Sequence, residues 1–322
     1  YSEFNFNGGT LQAGANNANF LHDVAVANVH FGGAVIDSQD FDVTIPQALN
    51  DAGGGLTKLG TGTLRLTGAN SYSGATVVSA GKLVVSGASA AFTDYSVADG
   101  ATLGIGVLDA GSQANVQSAT LGNTTGATLD FDLGAFGNPA TAVLNVSGAL
   151  TVNGVITVNV ASSLPQLGNI PLITYGTRAG SGSFVIGSLP VGVEATIVTN
   201  EGTSSIELAI SSINVPRWDG QAGGTWDIGV TENWVNVGTG NPTTYADGNI
   251  VLFDDNAQGT TTVNLTTTVS PGSVTAENNN LNYTLTGSGK IAGSTGFVKE
   301  GTGTFTISNT GGNTYTGPTV IT

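Results

Sequence analysis

The chain has 322 residues, long enough for a sizeable core, with no Cys, no Met, a formal net charge of -15 and only seven Lys and Arg. That balance excludes disulfide stapling and thiol chemistry, and it sets a negative field that opposes nucleic acid and anionic lipid while leaving divalent cations and neutral or cationic polymers compatible. Gly and Pro at 49 and 9 residues and a hydrophobic fraction of 39% place the chain among folding sequences, and Thr, Ser, Asn and Gly must solvate the surface because only 9% of residues are charged against about 25% in an average domain.

No apolar run is long enough to span a membrane, and no charged-then-apolar leader opens the chain. The missing initiator Met predicts a processed or excised chain, with any signal or anchor outside it. Period-2 alternation broken by Gly and Asn runs nearly throughout, while helical periodicity is almost absent; this predicts many short strands joined by tight turns. Near the start, His22 and His30 stand in no metal-type spacing, and Asp37, Asp40 and Asp42 form a loose acidic run.

The residues 55–87 carry the first full repeat motif. Gly60-Thr61-Gly62 reads as a tight turn that positive φ angles would allow. Leu64 and Leu66 then point inward from a short strand, and Asn70-Ser-Tyr72-Ser-Gly74 makes the next corner. Asp130 and Asp132 share one strand face on either side of Phe131. From 143 to 161 the even positions Leu144, Val146, Leu150, Val152, Ile156, Val158 and Val160 oppose Asn145, Ser147, Thr151, Asn153, Thr157 and Asn159. Parity survives Gly148 and Gly154, so the chain can bend at both and keep one set of side chains inward.

Composition shifts near Ile213-Asn-Val-Pro216, and Trp218, Trp226 and Trp234 follow it. The reading is therefore a repeat-built block over 1–214 and a second block over 217–322 with a Trp-rich start. A second repeat motif occupies 296–322: Phe297-Val-Lys299-Glu-Gly301-Thr-Gly303-Thr-Phe305-Thr-Ile307 aligns with Leu56-Thr-Lys58-Leu-Gly60-Thr-Gly62-Thr-Leu64-Arg-Leu66, and Asn313-Thr-Tyr315-Thr-Gly317 with Asn70-Ser-Tyr72-Ser-Gly74. A two-residue insertion near Gly311-Gly312 separates the aligned pieces, and in a turn it costs little. A unit with one apolar face cannot bury it alone, whereas stacked units can, which is the logic of a solenoid.

At these motifs the chain resembles the autotransporter-associated β-strand repeat family of bacterial passenger domains and very large secreted repeat proteins. Gly55-Leu-Thr-Lys-Leu-Gly-Thr-Gly-Thr-Leu64 with Asn70 to Val78, and the second copy from Gly296 to Ile321, carry the resemblance; Asn7-Gly-Gly-Thr-Leu-Gln12 and Trp218-Asp-Gly with Asn233-Trp234 resemble pieces that accompany such repeats. The resemblance implies an all-β fold, a right-handed parallel β-helix (β-solenoid), exported to a bacterial cell surface as stalk, adhesin or spacer, and it brings no catalytic residues. No membrane-embedded β-barrel follows within the chain, and the two motifs are widely separated. The spacing suggests a larger composite repeat, of which these residues would be one period, and the resemblance alone does not establish autotransport.

Parallel β-helices also carry polysaccharide lyases and hydrolases, so the acids need weighing. Paired-carboxylate chemistry could use Asp254-Asp255, Asp130 with Asp132, or the Asp37 run; each reads first as a solvated strand or turn acid, because no base or cationic cluster accompanies it, and Arg178 and Arg217 stand alone. Asp219 and Asp227 read as turn caps before calcium ligands, and no contiguous loop alternates the Asp and Asn that calcium takes. The three tryptophans read as the start or cap of a block before a sugar-stacking platform. The expectation is a non-enzymatic structural module of an extracellular fibre, stalk or sheath without cofactor, pairing head to tail with copies of itself or with neighbouring repeats. The alternative is a surface adhesin that contacts host or environmental glycans through the tryptophans or exposed Tyr, and a lyase or hydrolase ranks last.

Overall fold

A computed structural model describes residues 2–107, 111–134, 139–162, 166–190 and 192–321; the outermost residues of the two expected blocks, Tyr1 and Thr322, lie outside them. The described residues contain β-strands and turns and no helix, and the strands stack in parallel as a β-solenoid whose turns number about 13. Two compact units are formed: Tyr1–Leu164 with Gly168–Leu189 and Thr196–Ala209, and Ile210–Thr322 with Pro165–Leu167 and Pro190–Ala195.

In the first unit, alternation becomes rungs. The strand Leu144–Val152 buries Leu144, Val146, Leu150 and Val152 and leaves Asn145, Ser147 and Thr151 outside, and Val155–Ala161 does the same with Ile156, Val158 and Val160. The two strands lie in different sheets, one of eleven strands and one of seven, so the corner at Asn153-Gly154 turns the chain while parity keeps the same side chains inward. Within the seven-stranded sheet neighbours pair in parallel and in register, with Lys82–Ser86 between Thr63–Leu66 and Thr102–Gly106, followed by Thr128–Asp132 and Val155–Ala161. Like side chains therefore stack on like, and the core is a column of Leu, Ile, Val and Ala.

The second unit repeats the parallel stacking through Ile250–Asp254, Ser273–Glu277, Gly296–Glu300 and Thr319–Ile321. It begins differently, with a small antiparallel meander of Pro216–Trp218, Trp234–Asn236 and Pro242–Thr243. Its core is aromatic. Trp218, Trp226, Trp234, Tyr245, Phe253 and Tyr283 are all buried.

Candidate functional site

Both repeat motifs follow the same path. Leu56–Leu59 and Gly296–Glu300 each lead through the Gly-Thr-Gly turn into a strand, Thr63–Leu66 or Phe305–Ile307, and through a long corner into Thr76–Val78 or Thr319–Ile321, which pairs back on the first strand. Positive φ is confined to the first glycine of each turn, Gly60 at 79° and Gly301 at 78°. The second glycine is needed for space: a Cβ on Gly62 would fall 2.0 Å from the carbonyl oxygen of Phe41, on the rung beneath, and one on Gly303 2.4 Å from Asn278 Nδ2. Gly74 and Gly317 stand equally close to neighbouring backbone at their corners.

Two residue pairs in this motif do more than alignment suggested. The side chain of Lys58 is fully buried, and its ammonium donates to the carbonyls of Leu59 at 2.7 Å, Gly60 at 2.9 Å and Ala80 at 3.3 Å. It thus closes the turn of its own rung and ties it to the next. Lys299 repeats the clamp on the carbonyls of Glu300 and Gly301. Burial lowers the Lys58 pKa to about 8, opposed by the nearby carboxylate of Asp37. Asn70 accepts from the backbone N–H of Leu49 and donates to the carbonyl of Ser89, bridging rungs, and Asn313 accepts from Ile291 in the same way. The recurrence of Lys at one repeat position, in a chain with seven Lys and Arg, was the signal that could have singled out Lys58 and Lys299.

The repeat-core residues separate by copy. Leu64, Leu66 and Tyr72 are buried, whereas Phe305 and Tyr315 are half-buried and Ile307 is 43% exposed. Ile307 lies on the last rungs of the described residues. Its strand pairs only with Tyr283–Thr286, while Thr63–Leu66 is flanked on both sides.

Trp218, Trp226 and Trp234 form one cluster, with Trp234 centred 5.1 Å from Trp218 and 5.2 Å from Trp226 in edge-to-face contact, and Tyr245 5.4 Å from Trp226. Trp218 Nε1 donates to the carbonyl of Thr260 at 2.7 Å. A sugar platform needs an open ring face, and none of the three rings offers one.

The acids are occupied by turns. Asp255 accepts three backbone N–H groups, from Asn279, Asn280 and Leu281, while its neighbour Asp254 faces Arg217 at 3.8 Å and accepts from Asn256. Asp99, which the sequence reading passed over, accepts backbone N–H groups from Asn123 through Gly126. These donors hold both the Asp255 and Asp99 carboxyls below the usual range. Asp37 accepts from the side chains of Gln12 and Gln39, Asp42 from the backbone N–H of Thr63, Asp219 from that of Gln258, and Asp227 from Thr231. His22 pairs with Asp23 at 2.8 Å and His30 with Asn5 at 3.0 Å. Arg178 donates to the carbonyl of Gly182. Among the described residues no three His or acidic side chains converge as a metal set would.

A groove of about 300 Å³ lies on the outward face of the seven-stranded sheet. Val84, Gly104 and Gly106 lie in its floor, Arg65 stands on the first of its rungs and Ser188 on the last, and Asp132 lies between them, beside Gly106 and Ala161. Lys82 lies across the gap left by Gly104 and pairs with Asp130 at 2.6 Å.

Comparison with known families gives two matches to the passenger-associated-transport-repeat, over residues 56–85 and 297–322. Comparisons with curated proteins and with solved structures gave no match. On rungs of a parallel β-solenoid, at the lysine clamps and glycine turns just described, this chain carries two segments that match the passenger-associated-transport-repeat.

Proposed function

We propose that this chain is a non-enzymatic structural module of a bacterial extracellular fibre, stalk or sheath, exported in the manner of an autotransporter passenger and joined head to tail through its rung edges. One observation carries the reading: two widely separated repeats each place a lysine clamp, a bridging asparagine, a glycine turn and a Tyr–Thr hydroxyl pair at equivalent points. Iteration of one rung design builds length and stiffness, whereas a reaction centre is built once. Of the acids that could have served catalysis, Asp37, Asp42 and Asp255 hold turns and Asp130 is paired with Lys82.

The physical basis for self-association is general. A solenoid presents unpaired strand edges at its ends, which must be capped or paired, and pairing end to end is a heterologous contact that need not close, so it generates filaments. Burial of the three tryptophans favours their reading as core over a sugar platform. Electron microscopy of the native, unfractionated material tests the proposal. Continuous filaments with an axial repeat near the length of one chain support it, and discrete rods or single particles overturn it.

A further inference from the structure

The groove on the seven-stranded sheet is built as a ligand site would be. Parallel register sets Arg65, Val84, Gly104, Asp130, Asn159 and Ser188 in one row, a single residue per rung. Because adjacent strands are about 4.8 Å apart, the row repeats at close to the length that one sugar adds to a linear chain. The floor is partly apolar: Val84 is buried although it faces outward, the methylenes of Lys82 lie over Gly104, and Gly106 leaves open space. Arg65 is solvent-exposed and has no ion-pair or hydrogen-bond partner among the described residues.

Charge narrows the class of ligand. An anionic polymer would meet Asp130 and Asp132 and a chain of net charge -15, and a cationic one would meet Arg65 and Lys82. A ligand without net charge that both donates and accepts hydrogen bonds meets neither conflict. Vicinal hydroxyls do this, donating to Asp132 and accepting from Arg65 and from the second N–H of Asn159, whose first donates to Asp130, while the C–H face of a sugar ring rests on Val84, on the Lys82 methylenes that cover Gly104, and on the open Gly106. We propose that this groove binds a linear neutral polysaccharide laid across the rungs, with Arg65 and Asp132 as its polar anchors. The site is independent of end-to-end assembly, and either can hold without the other.

The test is titration of the purified chain with short β-glucan, α-mannan and galactan oligosaccharides at low and high salt. At least one probe is expected to bind, with an affinity that does not change with salt, since no ion pair forms. Arg65→Ala and Asp132→Ala should each weaken that binding about tenfold, the usual effect of removing a hydrogen bond to a charged group. Ala161→Trp, which places a bulky side chain on the exposed groove wall, should abolish it with the thermal midpoint unchanged; if that variant misfolds, the two alanine variants still decide. Binding by none of the probes, preference for a uronic-acid oligosaccharide over its neutral counterpart, or affinity unaltered by Arg65→Ala would overturn the proposal.

Discussion

The two copies of the repeat share their glycines, lysine, asparagine and tyrosine but stand in different surroundings. Leu66 is 2% exposed and Ile307, at the aligned position, 43%; Lys58 is sealed in and reaches a carbonyl of the following rung, while Lys299 is half-buried and holds only its own turn. Tyr72 bonds Thr76 at 2.8 Å, which contacts Thr93 of the next rung at 3.1 Å, and Tyr315 bonds Thr319 at 2.9 Å without that third hydroxyl. The path of the chain belongs to the motif, because turn glycines and the lysine clamp act within one rung. Burial belongs to the neighbour. A rung gains most of its hydrophobic stabilisation only when the next one lies on it, as nearest-neighbour coupling in a stacked array requires.

This comparison can be broken most sharply at the inward apolar positions. Leu66→Ala should cost about 2–5 kcal/mol, the range for a large-to-small change in a packed core, whereas Ile307→Ala should cost less than about 1 kcal/mol, as for an exposed site. Chemical denaturation of both variants checks this, and equal losses would show that the motif, not its neighbour, sets the stability.

The clamp comes next. Lys58→Met removes the donor for three carbonyls and should cost about 1–3 kcal/mol, the penalty for buried groups left unpaired; Lys299→Met should cost clearly less. The Lys58 substitution also has a pH signature. Its pKa is about 8 in the fold against an ordinary 10.5, so between those values the unfolded chain carries a proton that the folded chain has lost, and stability rises with pH across that window. Burial moves Tyr72 and Tyr95 upward, the latter to about 12. Unfolded tyrosines therefore ionise first, and stability falls again above about pH 10. Melting curves taken between those limits should show the rise in the parent chain and its absence in Lys58→Met.

Smaller effects sharpen the same contrast. Tyr72→Phe breaks a buried hydroxyl chain and should cost about 1 kcal/mol, while Tyr315→Phe should lie within the scatter of the measurement. The smallest effect expected is at the exposed turn acids. Asp255 has a lowered pKa owing first to the backbone N–H of Leu281, so its contribution is complete above the ordinary carboxylate value of 3.8 and is lost as pH falls through the folded one. Asp255→Asn should flatten the acid limb of the melting profile and leave neutral pH little changed; an unaltered limb would show that the turn does not depend on the charge.

Much of this architecture was legible from the residues. Alternation at Leu144 to Val160 survived two bends because side-chain parity is a property of extended backbone, and the glycine pairs marked turns because close stacking leaves no room for a Cβ. The clustering of Trp218, Trp226 and Trp234 near one boundary was visible, but their choice between core and platform was not, since a tryptophan suits both.

What local sequence determined was therefore strand parity, turn positions and the period of the repeat, all of which depend on a few adjacent dihedral angles. Tertiary structure alone decided which lysine was buried, which acids closed turns on the following rung, and that Arg65, Gly104 and Asp132 would border one groove. These residues are separated by 20 or more positions and meet only through parallel register. Register is fixed by the whole stack, because a one-residue slip would turn every inward side chain to solvent.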